Sequence, residues 1–213
     1  MVRLTACAEF VGGAGTVCDV GTDHAYLAAL LAERCPRVIA SDINDGPLAA
    51  ARATVARLGL GAKISVVKSD GLREIDLAGV SDIVIAGMGG ETICGILSAS
   101  LAAPRDFSGI NFVLQPMTKI PLLRARLYAL GFEIVEERTV FDGRIFVVVK
   151  AKYTGISREI TPLFSEIGLL AADRDYVEKQ AKKLAAEGKG LLTAGELSAA
   201  LAKLRLCQLI MDN

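Results

Sequence analysis

Two carboxylates, a glycine and the chain's single histidine fall together in Asp19-Val20-Gly21-Thr22-Asp23-His24, directly after the apolar residues Val17 and Cys18. An apolar strand that ends in such a turn and opens into Ala25-Tyr26-Leu27 places backbone and acid where nucleotide-like cofactors bind in α/β proteins. A dinucleotide would want G-x-G-x-x-G, with its pyrophosphate on the helix N-terminus. Here there is one glycine, and Asp19 and Asp23 flank it, so an anion is disfavoured. A cofactor with a sulfonium and a free ammonium fits an acidic turn, which points to S-adenosylmethionine. Asp19 is then the residue facing the methionine end, and Gly21 permits close approach.

Further polar strand ends follow in order. Arg37 to Ile43 is a second apolar run whose acid, Asp42, lies about twenty residues beyond Gly21, the separation of a carboxylate that bonds ribose hydroxyls. Ile43 adjoins it. Ile64 to Val67 leads into Lys68-Ser69-Asp70-Gly71, where Asp70 suits the exocyclic amine of an adenine. Asp82 to Ala86 runs into Gly87-Met88-Gly89-Gly90, and glycines at a strand end mark something that approaches the backbone closely. Each acid alone also reads as a helix cap or turn former; the ordered series favours a cofactor.

The elements that must position these residues alternate. Apolar runs with helical stretches between them, Asp45 to Leu58 and Thr92 to Ala102, give βαβ units and a parallel sheet. Asn44 and Asp45 are capping candidates for the first, with Pro47 in its first turn. Ile110 to Leu114 reads as a fifth strand and Pro121 to Leu130 as a helix. Phe132 to Val140 and Arg144 to Lys152 read as final strands, joined by an Asp142-Gly143 hairpin turn. Met1 to Phe10 reads as a short amphipathic helix before the first strand. Beyond Tyr153, Asp173 to Glu187 and Thr193 to Met211 read as an antiparallel helix pair hinged at Gly188-Lys189-Gly190.

The segments DVGTDHAYL, ASDINDGPLAAA, SDGL, DIVIAGMGGETI and LQP, in this order and spacing, resemble the bacterial tRNA (adenine-22-N1)-methyltransferases, the TrmK family. The resemblance covers nearly the whole chain. It departs at Ala28, where many relatives have proline, at Met117, where asparagine is expected, and at Phe146, where tyrosine is expected. It implies an α/β, class I Rossmann-like methyltransferase domain over 1–153 and a C-terminal antiparallel, coiled-coil-like helical extension over 154–213. It also implies methyl transfer from S-adenosylmethionine to N1 of adenine 22 in tRNA.

Under that reading, Asp23 is the carboxylate beside the cationic adenine, because alkylation at N1 generates positive charge. Its other role would be capping the helix that begins near Ala25. Gly87 and Met88 floor the base pocket, and Gln115, at the next strand end, reads the base edge. His24 bonds the backbone or the cofactor carboxylate; with no second histidine, metal chemistry has little to draw on.

The chain has 24 basic and 24 acidic residues. Zero net charge counts against a nucleic-acid partner, although a local basic patch can coexist with an acidic pocket. Lys119, Arg124 and Arg126, with Arg34, Arg73, Arg138 and Arg144, are candidates for a basic rim. Lys179, Lys182, Lys183, Lys189, Lys203 and Arg205 are candidates for an RNA-gripping arm, interleaved with acids. The five cysteines lack C-x-x-C pairing, which argues for reduced thiols in the cytoplasm and against zinc. No apolar stretch is long enough for a membrane span. Two other readings fit the same residues: a small-molecule methyltransferase, and a non-catalytic binder of RNA or protein.

Overall fold

The computed structural model describes residues 2–212. Helix α1 (Val2–Phe10) precedes β1 (Thr16–Val20), α2 (Tyr26–Ala32), β2 (Arg37–Asp42), α3 (Asp45–Arg57) and β3 (Ile64–Lys68). Then come β4 (Val80–Gly89), α4 (Gly90–Leu101), β5 (Asn111–Thr118), α5 (Ile120–Ala129) and the hairpin β6 (Phe132–Phe141) and β7 (Ile145–Tyr153). The strands form one sheet in the order β3-β2-β1-β4-β5-β7-β6. The first five are parallel, and β7 runs antiparallel to both β5 and β6. This is the class I Rossmann-like methyltransferase fold.

Both faces of the sheet are covered, which is why its strands are almost continuously apolar. Successive residues alternate between two cores. Cys18, Ile83, Ile85, Phe112, Leu114 and Val149 pack beneath Ile93 and Leu97 of α4 and Leu123 and Leu127 of α5. Val17, Val84, Val113 and Val148 face α1 and α2 through Cys7, Phe10, Leu27 and Leu31. Helix α1 is pinned across this second face: Arg34 donates to the Ala8 carbonyl at 2.9 Å, Lys150 to that of Phe10 at 2.9 Å, and Arg138 pairs with Glu9 at 2.8 Å.

The C-terminal extension comprises α6 (Pro162–Ile167), α7 (Arg174–Thr193) and α8 (Leu197–Met211). Asp173 caps α7, accepting from Tyr176 N at 3.0 Å. The antiparallel pair α7–α8 is as expected, but its hinge is not. Gly188-Lys189-Gly190 is helical, and the chain reverses at 194–196, where Gly195 takes φ +80°. Gly188 is small for packing: a Cβ there would lie 2.9 Å from the Leu204 side chain of α8. Helix α6, unforeseen from periodicity, starts with a Thr161 cap on Phe164 N and Pro162 in its first turn. The α3 cap also differs. Asn44 makes no capping bond; its N–H and side-chain amide donate instead to Asp42 Oδ1 at 2.8 and 3.2 Å.

Candidate active site

Strand order reverses between β1 and β4, whose neighbours lead away in opposite directions, and the carboxyl ends of these strands open a cleft. It has a volume of about 320 Å³, and its walls include Asp19, Gly21, Thr22, Asp23, His24, Gly87 and Met88. The β1 turn is fixed by its backbone: Gly21 N and Thr22 N both donate to the Ser41 carbonyl of β2 at 2.8 Å. Gly21 stands at φ +81°, and a Cβ on it would lie 1.9 Å from the Met88 methyl. The left-handed backbone calls for glycine here, and the Met88 side chain lies directly over it.

Asp19 is 4 % exposed, and its Oδ2 has no hydrogen-bond partner; neither has the hydroxyl of buried Thr22. Burial pushes the Asp19 carboxyl up to about 6, opposed by Thr22 and the Ala28 backbone and reinforced by the charge of Asp42. A buried carboxylate oxygen without a donor is expensive. Asp19 and Thr22 both line the cleft.

Asp23 and His24 stand at the mouth. Asp23 is largely exposed, 3.6 Å from His24 Nε2, and the His24 ring stacks on Tyr26 at 5.5 Å. Asp23 does not cap α2: the cap position is Ala25, in the left-handed region at φ 55°, without a side-chain bond. Beside them β4 carries a bulge, with register shifts on either side of Met88 and Gly87 at φ +79°. Gly87 and Met88 line the cleft, whereas Gly90 lets α4 approach β5, since a Cβ there would meet the Thr118 and Lys119 carbonyls at 2.9 and 2.8 Å.

Asp42, Ile43, Asp70 and Gly71 lie outside this cavity, along the carboxyl edge formed by β2 and β3. Ser69 N donates to the Asp42 carbonyl at 3.0 Å, joining the two strand ends. Asp42 spends one carboxylate oxygen on Asn44, Ile43 is exposed, and Asp70 pairs with Arg73 at 2.9 Å.

Gln115 is not in the cleft wall. It is fully buried; its Nε2 donates to the Pro116 carbonyl at 2.9 Å and its Oε1 accepts from Arg3 at 3.4 Å. Its amide braces Arg3 and is not free to read a base. Arg3, Leu4 and Asp142 line the cleft instead, unnoticed in the sequence. Arg3 pairs with Asp142 at 3.0 Å, reaches Met117 Sδ at 2.8 Å and stacks on Phe146 at 4.6 Å. The two positions where the chain departs from its relatives near the base side, Met117 and Phe146, therefore meet under one guanidinium.

The expected basic rim is mostly neutralised. Arg124 is wholly buried, while Lys119 pairs with Glu91, Arg73 with Asp70, and Arg138 with Glu9 and Glu136. Lys182 and Lys203 pair with Glu178 and Glu187. Burial pushes Cys7 and Cys18 up to about 12 and Cys94 to about 11, so these thiols pack and do not react. Among the described residues no group of His, Cys, Asp and Glu could hold a metal ion, and no helix is long and apolar enough to cross a membrane.

A methyltransferase-domain family model matches residues 1–149. The tRNA (adenine(22)-N(1))-methyltransferase of Bacillus subtilis is 34% identical over 165 residues, spanning 73% of this chain and 68% of the relative. The chain belongs to the tRNA (adenine(22)-N(1))-methyltransferase family. The likeness extends through the helical extension. The solved B. subtilis M1A22 tRNA methyltransferase TrmK superposes with a TM-score of 0.83 at 26% identity, covering 98% of this chain and 97% of that one. Streptococcus pneumoniae Sp1610, solved in complex with S-adenosyl-L-methionine, gives 0.83 at 28% identity with the same coverage. Membership of the family thus rests on both the catalytic sheet and the α7–α8 pair.

Proposed function

We propose that this protein transfers a methyl group from S-adenosylmethionine to N1 of adenine 22 in tRNA, in the cytoplasm. The observation that carries the cofactor is the pair of unpartnered buried oxygens, Asp19 Oδ2 and Thr22 Oγ1, in a cleft bordered by acids. An ammonium-bearing ligand satisfies both, whereas an anionic one would meet the Asp19 carboxylate as a like charge.

Asp19, Gly21 and His24 would hold the methionine end, with Gly87 and Met88 closing the cleft over it. Asp42 and Ile43 would hold the ribose, and Asp70 and Gly71 the adenine. When bound, S-adenosylmethionine supplies an electrophilic methyl group that an unprotonated ring nitrogen takes up in line. Adenine N1 has an in-plane lone pair and needs no strong base, so the protein's work is alignment, which can lower a barrier by roughly 7–11 kcal/mol. The small Gly87–Met88 bulge leaves room for the target base, which has to leave its stack to arrive there. Asp23, exposed at the mouth and free of any capping duty, stabilises the positive charge that develops on the adenine.

Labelled methyl transfer tests this reading. Unmodified bacterial tRNA carrying adenine at position 22 should accept label at N1, and the same tRNA with guanine there should not. Cofactor binding without transfer to either would overturn it in favour of a small-molecule substrate or a non-catalytic binder.

A further inference from the structure

A second cavity, of about 290 Å³, lies where the methyltransferase sheet meets α7, lined by Met117, Arg144, Phe146, Lys179, Gln180 and Lys183 among others. Ligand cavities begin near this size, which suits one base or one sugar-phosphate unit. Arg144 and Lys179 have no carboxylate partner among the described residues. Arg144 donates to the Met117 carbonyl at 3.2 Å, and Lys179 to that of Ile145 at 2.6 Å. Lys183 has Glu187 only at 3.7 Å, and that carboxylate is held at 2.7 Å by Lys203. Burial, and then the positive charges of Arg144 and Lys183, hold the Lys179 ammonium below its ordinary value. Three cations thus crowd one hollow, two of them without a carboxylate partner and the third sharing a distant one.

The floor supplies the second observation. Gln180 is 4 % exposed, lines this cavity, and its Oε1 has no hydrogen-bond partner. A buried amide oxygen left unpaired costs stability unless a donor reaches it. Base amines and the ribose 2′-hydroxyl are such donors.

The cavity is also in the right place. Arg3 of the cofactor cleft and Arg144 of this cavity both stack on the Phe146 ring, each at 4.6 Å, so a single aromatic side chain separates the two. We propose that this hollow is a second nucleotide subsite, which takes a nucleotide flanking the methylated adenosine, with its phosphate on Arg144, Lys179 and Lys183 and its base edge or 2′-hydroxyl on Gln180. This rests on the tRNA-methylating function proposed above. The sheet then handles the reacting base, and α7 holds its neighbour in register. Lys179 and Lys183 bear on RNA through one cavity, and the rest of the α7–α8 surface contributes little.

The test compares wild type with Gln180→Leu, Lys179→Met/Lys183→Met and Lys179→Arg/Lys183→Arg. Readouts are tRNA Kd, KM and kcat, with S-adenosylmethionine affinity and Tm as controls. Gln180→Leu removes an unpaired polar group, so a merely structural glutamine predicts equal or higher Tm and unchanged tRNA binding. The subsite predicts equal or higher Tm with tRNA Kd and KM weakened about fivefold to tenfold. The double Met variant should lower the slope of log Kd against log salt by up to about 0.7, the share of one single-strand phosphate, and the double Arg variant should keep it. Wild-type methylation of adenine 22 with unchanged Kd, KM and salt slope in both Gln180→Leu and the double Met variant would overturn the subsite alone. Failure of wild type to methylate tRNA would overturn both.

Discussion

Arg124 Nε lies 2.8 Å from Glu137 Oε1, and both side chains are fully buried at the junction of α5, β6 and the C-terminal extension. The same guanidinium donates to the carbonyls of Ser165 and Glu166 at 3.0 and 2.6 Å and to the Tyr176 hydroxyl at 3.1 Å. Glu137 Oε2 in turn accepts from Leu169 N at 2.7 Å. Gly168 has room for no more than a hydrogen, since a Cβ there would fall 2.0 Å from Glu137 Oε2. The extension is therefore bolted to the sheet by a buried ion pair to which it adds four further hydrogen bonds, Arg124 Nη2 being left without a partner among the described residues.

Breaking a buried pair from one side leaves an uncompensated charge and costs about 3–5 kcal/mol, whereas replacing both partners by apolar groups is far cheaper. Arg124→Met should lower denaturant stability by that amount, and Arg124→Met/Glu137→Leu should recover much of it. Residues 1–153 and 154–213 should unfold in a single transition in wild type. A full-stability single variant, or two separate transitions, would contradict the coupling.

Asp19 gives a pH dependence whose sign is fixed. Its carboxyl is raised from an ordinary 3.8 to about 6 by burial. Between these values the folded, cofactor-free chain holds a proton that the unfolded chain has lost, so stability falls as pH rises through the window, by roughly 3 kcal/mol in total. A cofactor ammonium favours the carboxylate, so binding below pH 6 releases a proton. S-adenosylmethionine affinity should strengthen by up to about tenfold per pH unit toward pH 6 and level off above it. Calorimetry in buffers of different ionisation enthalpy measures the released proton. Asp19→Asn should abolish both trends, and an equally pH-dependent Asn variant would remove Asp19 from the site.

The strand ends around the cleft were legible because they are local. A strand, its terminal acid and the following glycine are adjacent in sequence, so the positions of Asp19, Gly21 and Gly87 at strand ends could be read from pattern alone, whereas the turn expected at Gly87 to Gly90 is a bulge that carries β4 on to Gly89. What was not legible depends on distant pairing. Arg3 and Asp142 meet across a separation of 139 residues, and nothing near either announces the other. Arg124 looked like a rim cation because periodicity shows that a helix has a polar residue, not that a carboxylate from the next strand is buried against it. Gln115 misled in the opposite direction, being at the right strand end but turned inward to brace Arg3.

The two glycines that suggested a hinge have different jobs in α7, and helix propensity separates them. Gly190 is exposed, and a Cβ added there would meet nothing within 4 Å, so Gly190→Ala should stabilise by about 0.5–1 kcal/mol and raise Tm. Gly188→Ala gains the same propensity but must push Leu204 aside from 2.9 Å. Its Tm should fall below that of Gly190→Ala. Equal gains at both positions would show that α7 and α8 do not pack closely there.

Asp23 decides whether the mouth of the cleft is electrostatic or merely structural. The carboxylate caps no helix and its nearest charged neighbour is His24, so Asp23→Ala should leave stability within about 0.5 kcal/mol. In the free protein its field is screened by water; under the proposed mechanism a docked tRNA excludes that water, and the carboxylate then meets the charge developing on adenine at short range. Turnover should fall at least about tenfold, roughly 1.4 kcal/mol of transition-state stabilisation, with S-adenosylmethionine affinity unchanged. Single-turnover methyl transfer at saturating tRNA isolates that step. An Asp23→Ala enzyme with wild-type turnover would leave alignment in the Met88 cleft as the protein's whole contribution to the chemistry.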